Sequence, residues 1–183
     1  MAHRDNNGLG KIIYSEWLIP IIDYYQILNK SIAIYEILLP LMISVICTGV
    51  YYCSNKISLA VSKLSDILPD VIAILIGFTF TFITLILTSS GSNIERLKQK
   101  ETDKKLHSKK ITMFQELHIQ FTHSLFTEIV LMLLIFLYLF LSPIFPILLL
   151  DTFFLLVYIV LILNVFLSIL RGITNLYFSF YDN

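Results

Sequence analysis

Charge is what this sequence has least of. Only 14% of its 183 residues are Asp, Glu, Lys or Arg, against about 25% in an average soluble domain. Hydrophobic residues make up 57%, and the mean hydropathy of +0.81 excludes an ordinary soluble globular protein. Cysteine is nearly missing too. Cys47 and Cys53 cannot alone build a disulfide framework or a metal site. Thirteen basic and thirteen acidic residues cancel, so net charge points to no nucleic acid. The opening stretch MAHRDNNGLGK is polar and lacks the apolar core of a cleavable signal peptide.

Chemistry-bearing motifs are also scarce. There is no glycine-rich phosphate loop and no Ser–His–Asp grouping. His3, His107, His118 and His123 do not stand at metal-ligand spacing. The sequence therefore predicts no catalytic residue, no metal, no cofactor and no enzyme.

What the sequence does have is long uncharged runs. There are 19 such residues between Glu36 and Lys56, 24 between Asp70 and Glu95, 22 between Glu128 and Asp151, and 19 between Asp151 and Arg171. A helix crossing a bilayer needs about 20 apolar residues, and continuous rather than alternating apolarity argues against a barrel. The expectation is an all-α integral membrane protein with four transmembrane helices and cytoplasmic helical extensions. The spans fall near 32–54, 70–90, 121–142 and 149–170, with a tight turn at Pro143 and Pro146. The chain then divides into an amphipathic segment (1–31), a first hairpin (32–90), a basic helical loop (91–120), a second hairpin (121–170) and a tail (171–183).

With four spans, 11 of the 13 cationic residues share one side. Positive residues favour the cytoplasm, so both termini and the 91–120 loop are placed there. Residues 55–69 and 143–148 are placed outside.

The cytoplasmic parts show two stripes. Ile13, Trp17, Ile21, Tyr24 and Leu28 recur at helical spacing, as in a helix lying in the inner interface or packed on the bundle, with a bend at Pro20. Residues 93–120 are rich in helix formers and lack Gly and Pro. They are expected to form two helices broken near Thr102–Ser108. Ile111, Phe114 and Leu117 begin a second stripe that continues to Phe121 and Leu125. It is expected to pack on another helix or a protein partner. Lys104, Lys105, Lys109 and Lys110 could meet lipid headgroups or serve only as positive-inside charge. Without interleaved aromatics they are not a nucleic-acid motif.

Polar residues inside spans are costly and often functional. Glu36 and Glu128 could share a proton, line a cation path, or bond a neighbouring helix. Gly77, Thr81, Thr84 and Thr88 share one helical face, suited to a helix interface or a hydroxyl-lined pore. Asn164 is expected to bond another helix or a second copy, which makes a homo-oligomer plausible.

The run LPDVIAILIGFTFTFITLILTSS (68–90), the following NIERLKQK (93–100) and the paired closing spans around SPIFP carry a resemblance. With two hairpins, a long basic inner loop and short outer loops, the chain resembles the KwaA family, the four-span membrane component of the Kiwa bacterial anti-phage defence system. The resemblance implies an oligomeric membrane sensor that senses at its outer loops. It implies docking near 93–120 of a cytoplasmic partner, KwaB, that acts on phage DNA. Composition and spacing leave two other functions open: a pore that depolarises the membrane, and a small proton-coupled transporter.

Overall fold

The structure is a computed structural model and describes residues 18–181. Ile13 and Trp17 of the first stripe lie outside them.

Helix α1 (Ile19–Ile27) starts at a proline: Pro20 occupies its first turn, where no intrahelical N–H is needed. The expected bend at Pro20 is therefore a helix start. Next come α2 (Lys30–Ala33), a π-helical turn (Ile34–Leu38) and α3 (Leu39–Cys53), which run on as one helix, Lys30–Cys53. Helix α4 spans Ile57–Thr88 and α5 spans Ser92–Gln99. Strands β1 (Glu101–Leu106) and β2 (Lys109–Thr112) precede α6 (Met113–Leu141) and α7 (Leu148–Tyr181).

Four helices are long and apolar enough to cross a membrane: Lys30–Cys53, α4, α6 and the stretch Leu148–Phe178 of α7. In the most apolar window of each, only 17% to 33% of residues are buried inside the chain. Soluble bundles bury such residues, so this outward apolarity fits a lipid surround.

Two expectations fail. Residues 57–69 are not a loop. Asn55, at φ 53°, closes a three-residue turn, and α4 begins at once. Lys63, Asp66 and Asp70 marked a boundary by charge, but they sit on the exposed or half-buried side of a helix. Ile57, Val61, Leu68 and Ile72 face the core. The helix runs through Pro69, which costs the carbonyl of Ser65 its usual donor.

The second failure is the stretch 101–112. It forms an antiparallel β-hairpin, with Lys105 opposite Lys110 and Leu106 opposite Lys109. His107 and Ser108 turn it at φ 48° and 67°, the doubly left-handed geometry of a two-residue hairpin turn. Thr102 Oγ1 donates to the Ile111 carbonyl at 3.0 Å. Helix α6 then starts on a reciprocal cap. Thr112 N–H donates to Gln115 Oε1 at 2.9 Å, and Gln115 N–H donates to Thr112 Oγ1 at 3.3 Å.

The main core joins α4, α6 and α7 through Val61, Ile72, Leu131, Ile135, Leu155 and Tyr158. Helix α3 packs on α7, where Ser44 Oγ donates to the Leu156 carbonyl at 2.9 Å. A second core, built on Leu97, Leu117 and Phe121, lies toward the hairpin end. There α7 comes close to α6 at Gly172. A Cβ on Gly172 would stand 2.6 Å from Cζ of Phe121.

Candidate functional site

The polar residues of the bundle gather in three places. The largest knot is built on Glu36, which is fully buried. Pro40 has no N–H to give the carbonyl of Glu36 four residues earlier, and a π-helical turn opens there. Asn164 of α7 fills the gap, its Nδ2 donating to the Glu36 carbonyl at 2.8 Å. So Asn164 bonds another helix of its own chain.

The Glu36 side chain is held from two further elements. Arg171 Nη1 of α7 stands 2.9 Å from Oε1, an ion pair not aligned as a hydrogen bond. The Tyr24 hydroxyl of α1 donates to Oε2. The Arg171 guanidinium also lies 5.6 Å from the centre of the Tyr24 ring. On α6, His123 stacks on that ring at 3.7 Å and 10°. Burial pushes the Tyr24 phenol well above its ordinary value; the Arg171 charge opposes this, and the bond to Glu36 adds to it. The phenol thus stays protonated as a donor. One knot ties α1, the first long helix, α6 and α7.

Glu128 forms the second site. It too is fully buried. Oε1 accepts from Thr79 Oγ1 of α4 at 2.9 Å, and Oε2 has no hydrogen-bond partner among the described residues. Glu36 and Glu128 are held by different residues and share none. Toward the hairpin, α6 carries Ser124, Gln120 and Glu116 at four-residue steps, all buried. Gln120 Nε2 donates to the Ser168 carbonyl, and Glu116 pairs with Lys104 at 2.6 Å.

At the far end of the bundle, Asp151 accepts from Ser58 Oγ of α4 and, at 2.9 Å, from Tyr138 OH of α6. An acidic residue in the first turn of α7 also suits the helix dipole.

Several sequence expectations change. The Gly77, Thr81, Thr84 and Thr88 face is exposed, with nothing near a Cβ on Gly77. It is not an interface within this chain. Each threonine hydroxyl donates to the carbonyl four residues back in its own helix. Within α4 the threonine that is buried is Thr79, which sequence reasoning passed over. Ile111 and Leu117 are buried, and Phe114 is half-buried. Leu117 and Phe114 pack with Leu97 and Ile94 of α5. The stripe is closed by the chain itself and is not an open docking face. Among the basic residues, Lys104 is tied to Glu116. Lys105, Lys109 and Lys110 are exposed on the hairpin, with Lys110 3.6 Å from Glu101. Among the described residues, no three His, Cys, Asp or Glu side chains converge as metal ligands.

The fold and these sites define a small four-helix bundle with buried polar knots and a basic hairpin at one end. No protein-family model, curated protein or solved structure matches this chain.

Proposed function

We propose that the chain is a multi-pass subunit of the bacterial inner membrane, with its termini and β-hairpin in the cytoplasm. It anchors a soluble effector and passes on changes sensed in the membrane. The observation that carries this reading is the Glu36 knot. Helix α1 packs on both α6 and β1 and is tied through Tyr24 to Glu36. A shift of the first or last long helix in the bilayer therefore pulls on the element that supports the hairpin. The concentration of positive residues on the hairpin side supports the orientation. Exposed Lys105, Lys109 and Lys110 offer a surface to an acidic partner, in place of the buried Ile111–Leu117 stripe. The resemblance to KwaA supplies the setting, phage defence, and the partner, KwaB. The exposed threonine face of α4 leaves room for a second copy, as an oligomer requires.

Co-expression with KwaB tests the reading. The chain should purify in mild detergent as an oligomer with KwaB bound. Lys105→Glu, Lys109→Glu and Lys110→Glu together should abolish capture while the chain stays in the membrane fraction. No complex, or capture untouched by charge reversal, refutes it. Steady conductance of the purified chain in planar bilayers would favour the pore instead.

A further inference from the structure

Among the described residues three carboxylates are buried: Glu36, Glu116 and Glu128. Arg171 faces the first and Lys104 the second. Glu128 has only the Thr79 hydroxyl, on Oε1, and its Oε2 meets no donor among those residues.

The helix seam around Glu128 is polar on one side only. The buried seam of α6 runs Leu117, Phe121, Ser124, Glu128, Leu131 and Ile135, at the alternating steps of a helix face. Away from the hairpin, Leu131 and Ile135 are fully buried and carry no polar side-chain atom. Toward the hairpin, Ser124 Oγ and Gln120 Oε1 follow at one-turn steps. Both atoms are buried and unpartnered among the described residues. Thr127 on the same helix closes on the His123 carbonyl four residues back, at 3.0 Å; Ser124 makes no such bond. Beyond Gln120 comes Glu116, where the pair with Lys104 ends the row.

Charged and titratable groups on the elements packed against α6 are engaged elsewhere. Tyr24 of α1 and Arg171 of α7 belong to the Glu36 knot, and His123 stacks on Tyr24. The Tyr158 hydroxyl of α7 is directed at the Leu134 carbonyl. Asp151 is bonded at the far end. On α4, Lys63, Asp66 and Asp70 lie two turns or more before Thr79. Arg96 and Lys98 of α5 and Lys109 and Lys110 of β2 are exposed at the hairpin end.

Depth and spacing select the ligand. About 20 helical residues cross the ~30 Å hydrocarbon core. Counted back from Leu141, where α6 ends, that stretch reaches residue 122, so Glu128 lies about 9 Å inside the hairpin-side boundary. A charge without a counterion is costly there. A hard metal cation takes about six oxygens or more, and three oxygens strung over two turns do not make such a shell. A proton needs one. One helical turn, about 5.4 Å, is also close to two hydrogen bonds of about 2.8 Å each, the span of a single bridging water.

We propose that Glu128 is a proton-binding site, filled and emptied from the hairpin end through water bridged by Gln120 and Ser124. A hydronium ion gives its proton to Oε2 and becomes water, and the carboxylate becomes a carboxylic acid. Release is the reverse transfer, back to water along the same row. The Thr79 bond to Oε1 sets this change at the contact of α4 with α6. The site is separate from the Glu36 knot and needs no protein partner.

Infrared difference spectra of the full chain in lipid vesicles, taken from acid to alkaline pH in H2O and D2O, test this. A protonated-carboxyl band should grow on acidification and be missing in Glu128→Gln. In D2O that band should shift as the proton exchanges. Ser124→Val replaces the hydroxyl by a methyl and should slow the exchange about tenfold with the melting temperature kept. Ser124→Ala takes its place should the valine variant fail to fold. Thr127→Val, on the same helix but off the row, should leave the rate as it was. A band that survives Glu128→Gln, or keeps one strength across the pH range, overturns the proposal. So does exchange untouched by a folded Ser124 variant, or slowed as much by Thr127→Val.

Discussion

Arg171 near the end of α7 and Glu36 in the π-helical turn face each other at 2.9 Å, joining the last long helix to the first. Neither charge has much access to water: Glu36 is fully buried, and the Arg171 side chain is 14% exposed. Removing one member of such a pair strands the other, which typically costs about 3–5 kcal/mol. Arg171→Met should therefore lower the melting temperature sharply in detergent. Combining it with Glu36→Gln should restore most of the loss, because the stranded charge is gone. Two losses that simply add would show that the pair is not coupled.

Part of this fold is legible in the sequence and part is not, for physical reasons. The four apolar helices follow from runs that charge leaves alone, since the cost of desolvating a charge acts locally. Glu36 stands out for the same reason. Its partners do not, because Arg171, Asn164 and Tyr24 become neighbours only once the helices are packed. Half of the Asn164 bond was readable: Pro40 stands four residues after Glu36 and must orphan its carbonyl. The threonine face went wrong because Thr79 and Thr81 lie on different sides of α4, and helical period alone does not say which side turns inward. The hairpin escaped because its residues favour helix by propensity. A two-stranded hairpin is marginal alone, and this one rests on α1 and α6.

Gly172 is a steric requirement of the packing between α6 and α7. An added Cβ would lie 2.6 Å from Phe121 Cζ and 2.8 Å from Cε2, and Phe121 is fully buried, so the ring has no solvent to swing into. Gly172→Ala should cost about 1–3 kcal/mol, as other overpacked cores do. Phe121→Leu in the same chain should recover part of that loss. A melting curve unchanged by Gly172→Ala would mean the helices separate freely there.

The hairpin turn holds His107 and Ser108 at φ 48° and 67°, a region that side chains other than Asn and Gly enter at a cost. Replacing the pair by Asn-Gly should raise hairpin stability by about 1 kcal/mol. Hydrogen exchange reads this directly: amides of 101–112 should exchange more slowly, with those of α7 unchanged. Faster exchange would show that the imidazole or hydroxyl makes a contact worth more than the backbone strain.

Tyr24 gives the knot a pH limit. Its phenol is held above the ordinary value, about 10, mainly by burial. A group whose pKa is raised on folding adds its full stability below the unfolded value and loses it as pH rises through the folded one. The unfolded chain releases this proton from about pH 10, while the folded chain keeps it as the donor to Glu36. Stability should therefore fall with rising pH above about 10 more steeply in the native chain than in Tyr24→Phe. Below that pH, Tyr24→Phe should cost about 1–3 kcal/mol, because Glu36 Oε2 loses its buried donor. Unfolding midpoints measured from pH 7 to 11 on both chains separate the two effects. Parallel curves would mean that the phenol titrates alike in the folded and unfolded chain, and that Tyr24 is not the closed donor of the knot.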